Sequence, residues 1–193
     1  MKHFASFLAQ NRVYGLKRSV LNKVKIDKVN SVKDNKVMEQ DELSNFIDGV
    51  INNNLEPKVN EVVVGFLSNT IIDYLISNNI NYNKDIVEIR EIKLTYKGLE
   101  HLLRDEKKLI QKLTQKQIKR IAFIIAKNNV YYDVDHKNIL FIDYLPEEEI
   151  EGNVNIIKIP IKLIGKKALT IATASRVSDI SILNSPKKFK KIN

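Results

Sequence analysis

The residues best suited to chemistry lie between positions 97 and 108, where four basic side chains recur at helical spacing. At about 100° per residue they share one narrow stripe of a helix, and they are Lys97, His101, Arg104 and Lys108. An imidazole can shuttle a proton near neutral pH, and a guanidinium one turn away can neutralise charge on phosphate oxygens. The stripe is usable for phosphodiester chemistry that needs no metal, but its spacing alone fits a solvated helix face that happens to carry a histidine at least as well.

A second candidate is the segment LTIATASRV at positions 169–177, which places hydroxyls and an arginine among small residues. Such a segment would let a phosphate backbone approach closely and accept hydrogen bonds from its side chains. In a regular strand Thr173 and Ser175 share one face, while Thr170 and Arg176 share the other. The four residues can therefore serve one site only if a bulge intervenes, and a plain core strand is the alternative.

The remaining polar clusters are weaker candidates. His136 lies in a predicted turn, and the acidic run at positions 147–149 is typical of a solvated loop, although with Asp143 it could bind a cation. The sequence contains neither G-x-x-x-x-G-K nor G-x-G-x-x-G, which excludes P-loop nucleotide hydrolysis. It has no cysteine, which excludes disulfides, thiolate metal sites and thiol nucleophiles.

The elements that must position these residues can be predicted from periodicity and caps. One helix is expected to begin after Thr95 and to kink or break near Asp105, and a second to begin after Thr114 and stop at Asn128. Strands are predicted at 61–67, 85–94, 130–134, 139–145, 155–164 and 169–177, and a further helix at 70–76. In the strand at 155–164, Pro160 lacks an amide donor, so pairing near it should be limited to one side.

This order predicts an α+β fold, with helices followed by a small antiparallel sheet of about four strands. We expect residues 1–58 to form an N-terminal helical and linker appendage, with one helix carrying Leu43, Phe46 and Ile47 at helical spacing. Residues 59–193 would form the main α+β domain, and Pro57 marks the boundary.

The amino-acid composition limits the kinds of molecule that the chain is expected to bind. The 193 residues contain 32 Lys and Arg against 23 Asp and Glu, a net charge of +9, which favours polyanionic partners. An AT-rich genome, which inflates Lys, Asn and Ile, would produce a similar excess. Neither a secretory signal nor a membrane span is recognisable, so we expect a soluble protein without a membrane partner.

The run IVEIREIKLTYKGLEHLLRDEKKLIQKLTQKQIKRIAFIIAKNNVYYDVDHKNILFIDYL, followed by NIIKIPIKL and ALTIATASRV, supports a resemblance. It resembles the C-terminal domain of phage Mu-F-like minor head proteins, a phage-associated group of the barnase/EndoU/colicin/RelE-like nuclease superfamily. The resemblance covers roughly Val62 to Ile182. It implies a fold of that superfamily and a metal-independent ribonuclease of toxin or phage-effector type, with no cofactor.

The resemblance also implies roles for individual residues. His101 would act as acid or base, and Arg104 would steady the pentacoordinate phosphate. Thr173, the third catalytic residue, would position that phosphate. Lys97, Lys108, Ser175 and Arg176 would bind the substrate. One departure is that many relatives carry a second histidine shortly after the first, where this chain has Arg104, Asp105 and Glu106.

Expected partners are RNA, with tRNA or rRNA as substrate, together with a cognate inhibitor or a phage head protein. The location would be the cytoplasm of a bacterium, or a phage particle. Two other interpretations stay open: a non-catalytic basic module that binds nucleic acid or assembles with a phage or host protein, and a structural protein whose sheet binds a polypeptide.

Overall fold

The computed structural model describes residues 40–52, 60–82, 88, 90–104, 111–163 and 168–192. All of these belong to the compact unit Met38–Asn193. Among the helices of these residues, none combines the length and the apolar character that a membrane crossing requires.

The helices of the described residues differ in how they begin, and three of them start after a capping hydroxyl side chain (Ser68, Thr95 or Thr114). They are α1 (Gln40–Ile51), α2 (Asn69–Ser77), α3 (Tyr96–Leu103), α4 (Gln115–Lys119), α5 (Ile121–Lys127) and α6 (Ile180–Leu183), with a 3₁₀ turn at Glu147–Glu149. The predicted caps are confirmed: Thr95 Oγ1 accepts from the Gly98 amide at 3.1 Å, and Thr114 Oγ1 accepts from the Gln117 amide at 3.2 Å. Asn128 ends α5 in a left-handed conformation, as the stop signal there predicts.

Two sheets contain the strands of the described residues. The strands are β1 (Glu61–Phe66), β2 (Glu91–Thr95), β3 (Val130–Asp133), β4 (Asn138–Tyr144), β5 (Ile156–Lys162), β6 (Leu169–Thr170), β7 (Ser175–Val177) and β8 (Phe189–Lys191). A three-stranded sheet has the order β1-β2-β6, in which β1 and β2 are antiparallel and β2 and β6 are parallel. A five-stranded antiparallel sheet has the order β7-β5-β4-β3-β8.

The α+β class is therefore correct, while the expectation of about four antiparallel strands is wrong. The sheets have three and five strands, and the β2–β6 pair is parallel. One reason is that β8 forms within the lysine-rich C-terminal stretch, where its pairing with β3 supplies the backbone partners that composition does not predict. The second reason is that the segment at 169–177 divides into β6 and β7, which belong to different sheets.

Ile171 is the residue at which the two sheets meet. Its amide donates to the carbonyl oxygen of Lys93 at 2.9 Å, in continuation of the β2–β6 pairing, and it also forms an antiparallel bridge with Ile161 of β5. Residues 172–174 then carry the chain from one sheet to the other. The predicted site segment is therefore a crossover between sheets and not a regular strand.

The core fills the space between the helices and one face of the five-stranded sheet. The predicted alternation in β5 is confirmed, because Ile157, Ile159 and Ile161 are fully buried. They join Ile139 and Phe141 of β4 in one apolar cluster with the buried residues of α1 to α5. The predicted one-sided pairing holds for Pro160 itself, whose ladder partner is Leu140 of β4, since β7 pairs with β5 only from Ile156 to Lys158. It does not hold for the next residue, because Ile161 is also bridged to Ile171.

Helix α1 belongs to this core. Leu43 and Ile47 are fully buried, Phe46 is nearly so, and Asp48 accepts from Lys119 Nζ at 2.7 Å. The contact with Lys119 lowers the pKa of Asp48. The predicted boundary at residue 58 stays a prediction, because residues 1–39 and 53–59 lie outside the described residues.

Candidate functional site

Helix α3 carries the predicted catalytic histidine on its solvent side. Leu99 and Leu102 are fully buried and fix the rotation of the helix, which leaves Lys97 and His101 exposed. The stripe predicted from helical spacing is thus presented to solvent over this part of its length. Lys108 lies outside the described residues.

Helix α3 ends at Leu103, immediately before Arg104, the third basic residue of the predicted stripe. Arg104 is the C-cap and is exposed, with φ −57° and ψ 139°, so the chain turns away from the helix axis after it. A C-cap residue is still half within the helix, so Arg104 stays about one turn beyond His101. The predicted break near Asp105 is confirmed to within one residue.

The first turn of α3 packs against the crossover between the sheets. A Cβ on Gly98 would overlap the carbonyl oxygen of Ile171 and would lie 3.2 Å from Thr95 Oγ1. Only the absence of a side chain allows this approach. Thr173 follows Ile171 by two residues and is half-buried, so the structure brings the His101 helix against the segment that carries Thr173.

Ser175 and Arg176 occupy opposite faces of β7. Ser175 is paired with Lys158 on the face away from the core and is half-buried, whereas Arg176 is paired with Ile157 and is buried. The guanidinium of Arg176 forms a two-pronged pair with Glu151, at 2.9 Å from Nη2 to Oε2 and 3.4 Å from Nη1 to Oε1. A contact between Arg176 and RNA would require that pair to open.

An ion-pair network joins α5 and the end of α4 to β4, and the sequence patterns do not predict it. The buried carboxylate of Asp143 is bound by Arg120 Nη2 at 3.0 Å and by Lys127 Nζ at 2.8 Å. These cations already neutralise the carboxylate for which the sequence suggested a cation. The pairs span 23 and 16 residues, beyond the reach of helical spacing rules.

Glu149 extends this network along the 3₁₀ turn. Its Oε2 accepts from Gln117 Nε2 at 2.8 Å, and Lys116 Nζ lies 3.1 Å from its Oε1. The Gln117 hydrogen bond and, after it, the Lys116 ammonium lower the pKa of Glu149 against the opposing effect of burial. An open depression beside the network is lined by Ser44, Gln115, Lys116, Lys119 and Arg120.

His136 is a turn residue, as its position between β3 and β4 suggests. Asp133 Oδ1 accepts from the amides of Asp135 and His136 at 3.2 and 3.1 Å, and Asp133 Oδ2 lies 2.9 Å from His136 Nδ1. These bonds stabilise the hairpin connection. In the described residues, His, Asp and Glu side chains do not gather in a group of three or more that could hold a metal ion.

The structure thus packs the first turn of the helix that carries Lys97 and His101 against Ile171, two residues before Thr173, and it places Arg176 in a separate ion pair. Comparison with known proteins adds no independent assignment. The chain matches no protein-family model, and neither a curated protein nor a solved structure is significantly similar to it.

Proposed function

We propose that this chain is a metal-independent endoribonuclease of the phage-associated barnase/EndoU/colicin/RelE-like type. The observation that supports it is the packing of Gly98 against Ile171, which holds the helix of His101 beside the hydroxyl-bearing crossover. A proton-transfer group, a guanidinium and a hydroxyl are the groups that RNA transesterification needs within one site.

In the proposed reaction the 2′-hydroxyl attacks the adjacent phosphorus and the bond to the 5′-oxygen breaks. The neutral imidazole of His101 takes the hydroxyl proton, and the departing 5′-oxygen is protonated by solvent. The Arg104 guanidinium neutralises the charge that builds on the phosphate oxygens, while Thr173 positions the phosphate. Ser175 is left out of this group because it lies on the sheet face away from the core. Lys97 and Lys108 contact the backbone without reading bases. The products are a 2′,3′-cyclic phosphate and a 5′-hydroxyl.

The test is incubation with total tRNA and rRNA in EDTA, with detection of both cleavage and cyclic phosphate ends. His101→Ala should lower the rate by about 100-fold or more if the imidazole acts in the transition state. His136→Ala is the matched control, because it removes an exposed imidazole whose partner is the Asp133 carboxylate of a turn. DNA should survive because it lacks the 2′-hydroxyl. Equal cleavage by the two variants would contradict the proposal.

A second candidate is a non-catalytic basic module that binds nucleic acid or assembles with a phage or host protein. It is favoured by the surroundings of His101: within the described residues, no hydrogen bond or ion pair orients its imidazole. Intact RNA with the wild-type protein and with both variants, together with measurable RNA binding, would support this candidate over the nuclease.

A further inference from the structure

Three lysines project from the face of the five-stranded sheet that points away from the core. Because Ile157, Ile159 and Ile161 face the core, the alternation of β5 places Lys158 and Lys162 on the opposite face. The pairing of Lys191 with Tyr131 places both on that face as well, since Val130 and Tyr132 belong to the core. We call Lys158, Lys162, Lys191 and Tyr131 the lysine face.

The charge of this face is not compensated. In the part of the chain that the structure describes, Lys158, Lys162 and Lys191 form no ion pair, whereas Lys119 and Lys127 on the helical side do. The strand carboxylate on the same face, Asp133, is 8% exposed and is bound by the hairpin turn and by His136. An excess of ammonium groups without counter-charges favours a polyanion.

The lysine face is open to solvent at its lysine side chains and closed at its centre, where Leu140, which is paired with Tyr131 and Pro160, is 1% exposed. Helix α6 covers the adjoining part of the same sheet face, where Ile182 packs with Ile156 and with Ile142, the pairing partner of Lys158. Tyr131 packs against this cluster from the side of Lys191. Lys162 and Lys191 are exposed, whereas Lys158 and Tyr131 are half-buried. A phenol ring beside an ammonium is suited to stacking on an unpaired base while the lysine contacts the phosphate.

We propose that the lysine face binds the backbone of single-stranded nucleic acid, as a second surface on the opposite side of the sheet from His101. The helix of His101 lies on the core side, because Leu99 and Leu102 pack in the same cluster as Phe141 and Ile159. A single strand fits better than a duplex because only unpaired bases offer their faces to Tyr131.

This inference does not rest on the proposed nuclease activity, since a charge contact with phosphate requires no cleavage. The test uses fluorescence anisotropy with a labelled single-stranded DNA, which the proposed reaction would leave intact. Lys158→Gln, Lys162→Gln and Lys191→Gln are combined, and affinity is measured over a range of salt. The slope of log affinity against log salt should fall by about 0.7 per lysine, or about 2 for the triple variant, with affinity about tenfold lower.

The matched control compares two single variants that remove the same charge. Lys162→Gln acts on the lysine face, and Lys116→Gln removes a side chain that is 73% exposed on α4. Only Lys162→Gln should weaken binding. The proposal is overturned if the triple variant binds like the wild type, if both single variants weaken binding equally, or if phosphatidylserine vesicles but not DNA bind in a lysine-dependent way.

The two proposals fail separately. If neither the wild type nor the His101→Ala variant cleaves RNA, while the triple variant loses DNA affinity, the lysine face stands and the nuclease does not. If RNA cleavage depends on His101 and the triple variant keeps its DNA affinity and its salt slope, the nuclease stands and the lysine face does not.

Discussion

Gly98 packs its Cα against the backbone carbonyl of Ile171, with no side chain between the helix and the crossover. Gly98→Ala should lower the free energy of unfolding by about 1–2 kcal/mol, because the clash with a backbone atom outweighs the gain in helix propensity of about 1 kcal/mol. Urea denaturation measures this change. Glu100→Ala, an exposed position of the same helix, should change stability by less than about 0.5 kcal/mol. A more stable Gly98→Ala variant would show that α3 and the crossover are not in contact.

The network around Asp143 predicts a larger loss. Asp143→Asn keeps the shape of the side chain but leaves Arg120 and Lys127 without their shared carboxylate. We expect a decrease of about 2–3 kcal/mol in the free energy of unfolding, toward the lower limit for a broken buried pair because Lys127 is partly hydrated. Glu147→Gln, an exposed carboxylate nearby, should have little effect. Equal stability of the two variants would contradict the structural role of Asp143.

Acid should remove the contribution of Glu149. Its pKa in the folded protein is lowered from 4.5, first by the Gln117 hydrogen bond and then by Lys116, so the unfolded chain takes up a proton before the folded one does. The ionised Glu149 carboxylate therefore contributes fully to the free energy of unfolding above pH 4.5, and this contribution is lost as the pH falls through the lowered pKa of the folded protein. The difference in unfolding free energy between wild type and Glu149→Gln should shrink from pH 7 to pH 3. Glu148→Gln, at an exposed position of the same 3₁₀ turn, is the control; a parallel decline in both comparisons would rule out a specific effect of Glu149.

The cap of α4 should also be measurable. Thr114 and Gln117 bond each other's amides through their side chains, at 3.2 Å to Thr114 Oγ1 and 3.0 Å to Gln117 Oε1. Thr114→Ala should cost about 1 kcal/mol of unfolding free energy, while Thr114→Ser keeps the hydroxyl and most of the stability. Chemical denaturation of both variants checks the difference. Equal losses would mean that the methyl group and not the hydroxyl stabilises this turn.

Local signals account for much of the fold that the sequence predicts. Thr95 and Thr114 are capping residues within three positions of their partners, and the alternation of β5 follows from one buried face, so each can be seen in a short window. The division at Ile171 cannot be seen that way. The residues of 169–177 suit a strand, and the partners that divide it, Lys93 and Ile161, are far away in sequence.

The candidate site, too, was predicted where the signal is local and missed where the partners are distant in sequence. Helical spacing placed Lys97, His101 and Arg104 on one exposed side of α3, and their positions there agree with that pattern. The sequence predicts Arg176 as a substrate-binding residue because it lies in a segment of hydroxyl-bearing and small residues. Its pairing with Glu151 depends on a contact across 25 residues, for which the sequence has no periodic signal. Contacts of this kind are decided by tertiary packing.

The double attachment of Ile171 has a consequence for dynamics. A loop held by one sheet can open when a few hydrogen bonds at its edge break, at a small fraction of the total stability. The segment that precedes Thr173 is held by β2 through Lys93 and by β5 through Ile161, so its release requires both sheets to separate. We expect the Ile171 amide to exchange its hydrogen with solvent only when the whole unit unfolds.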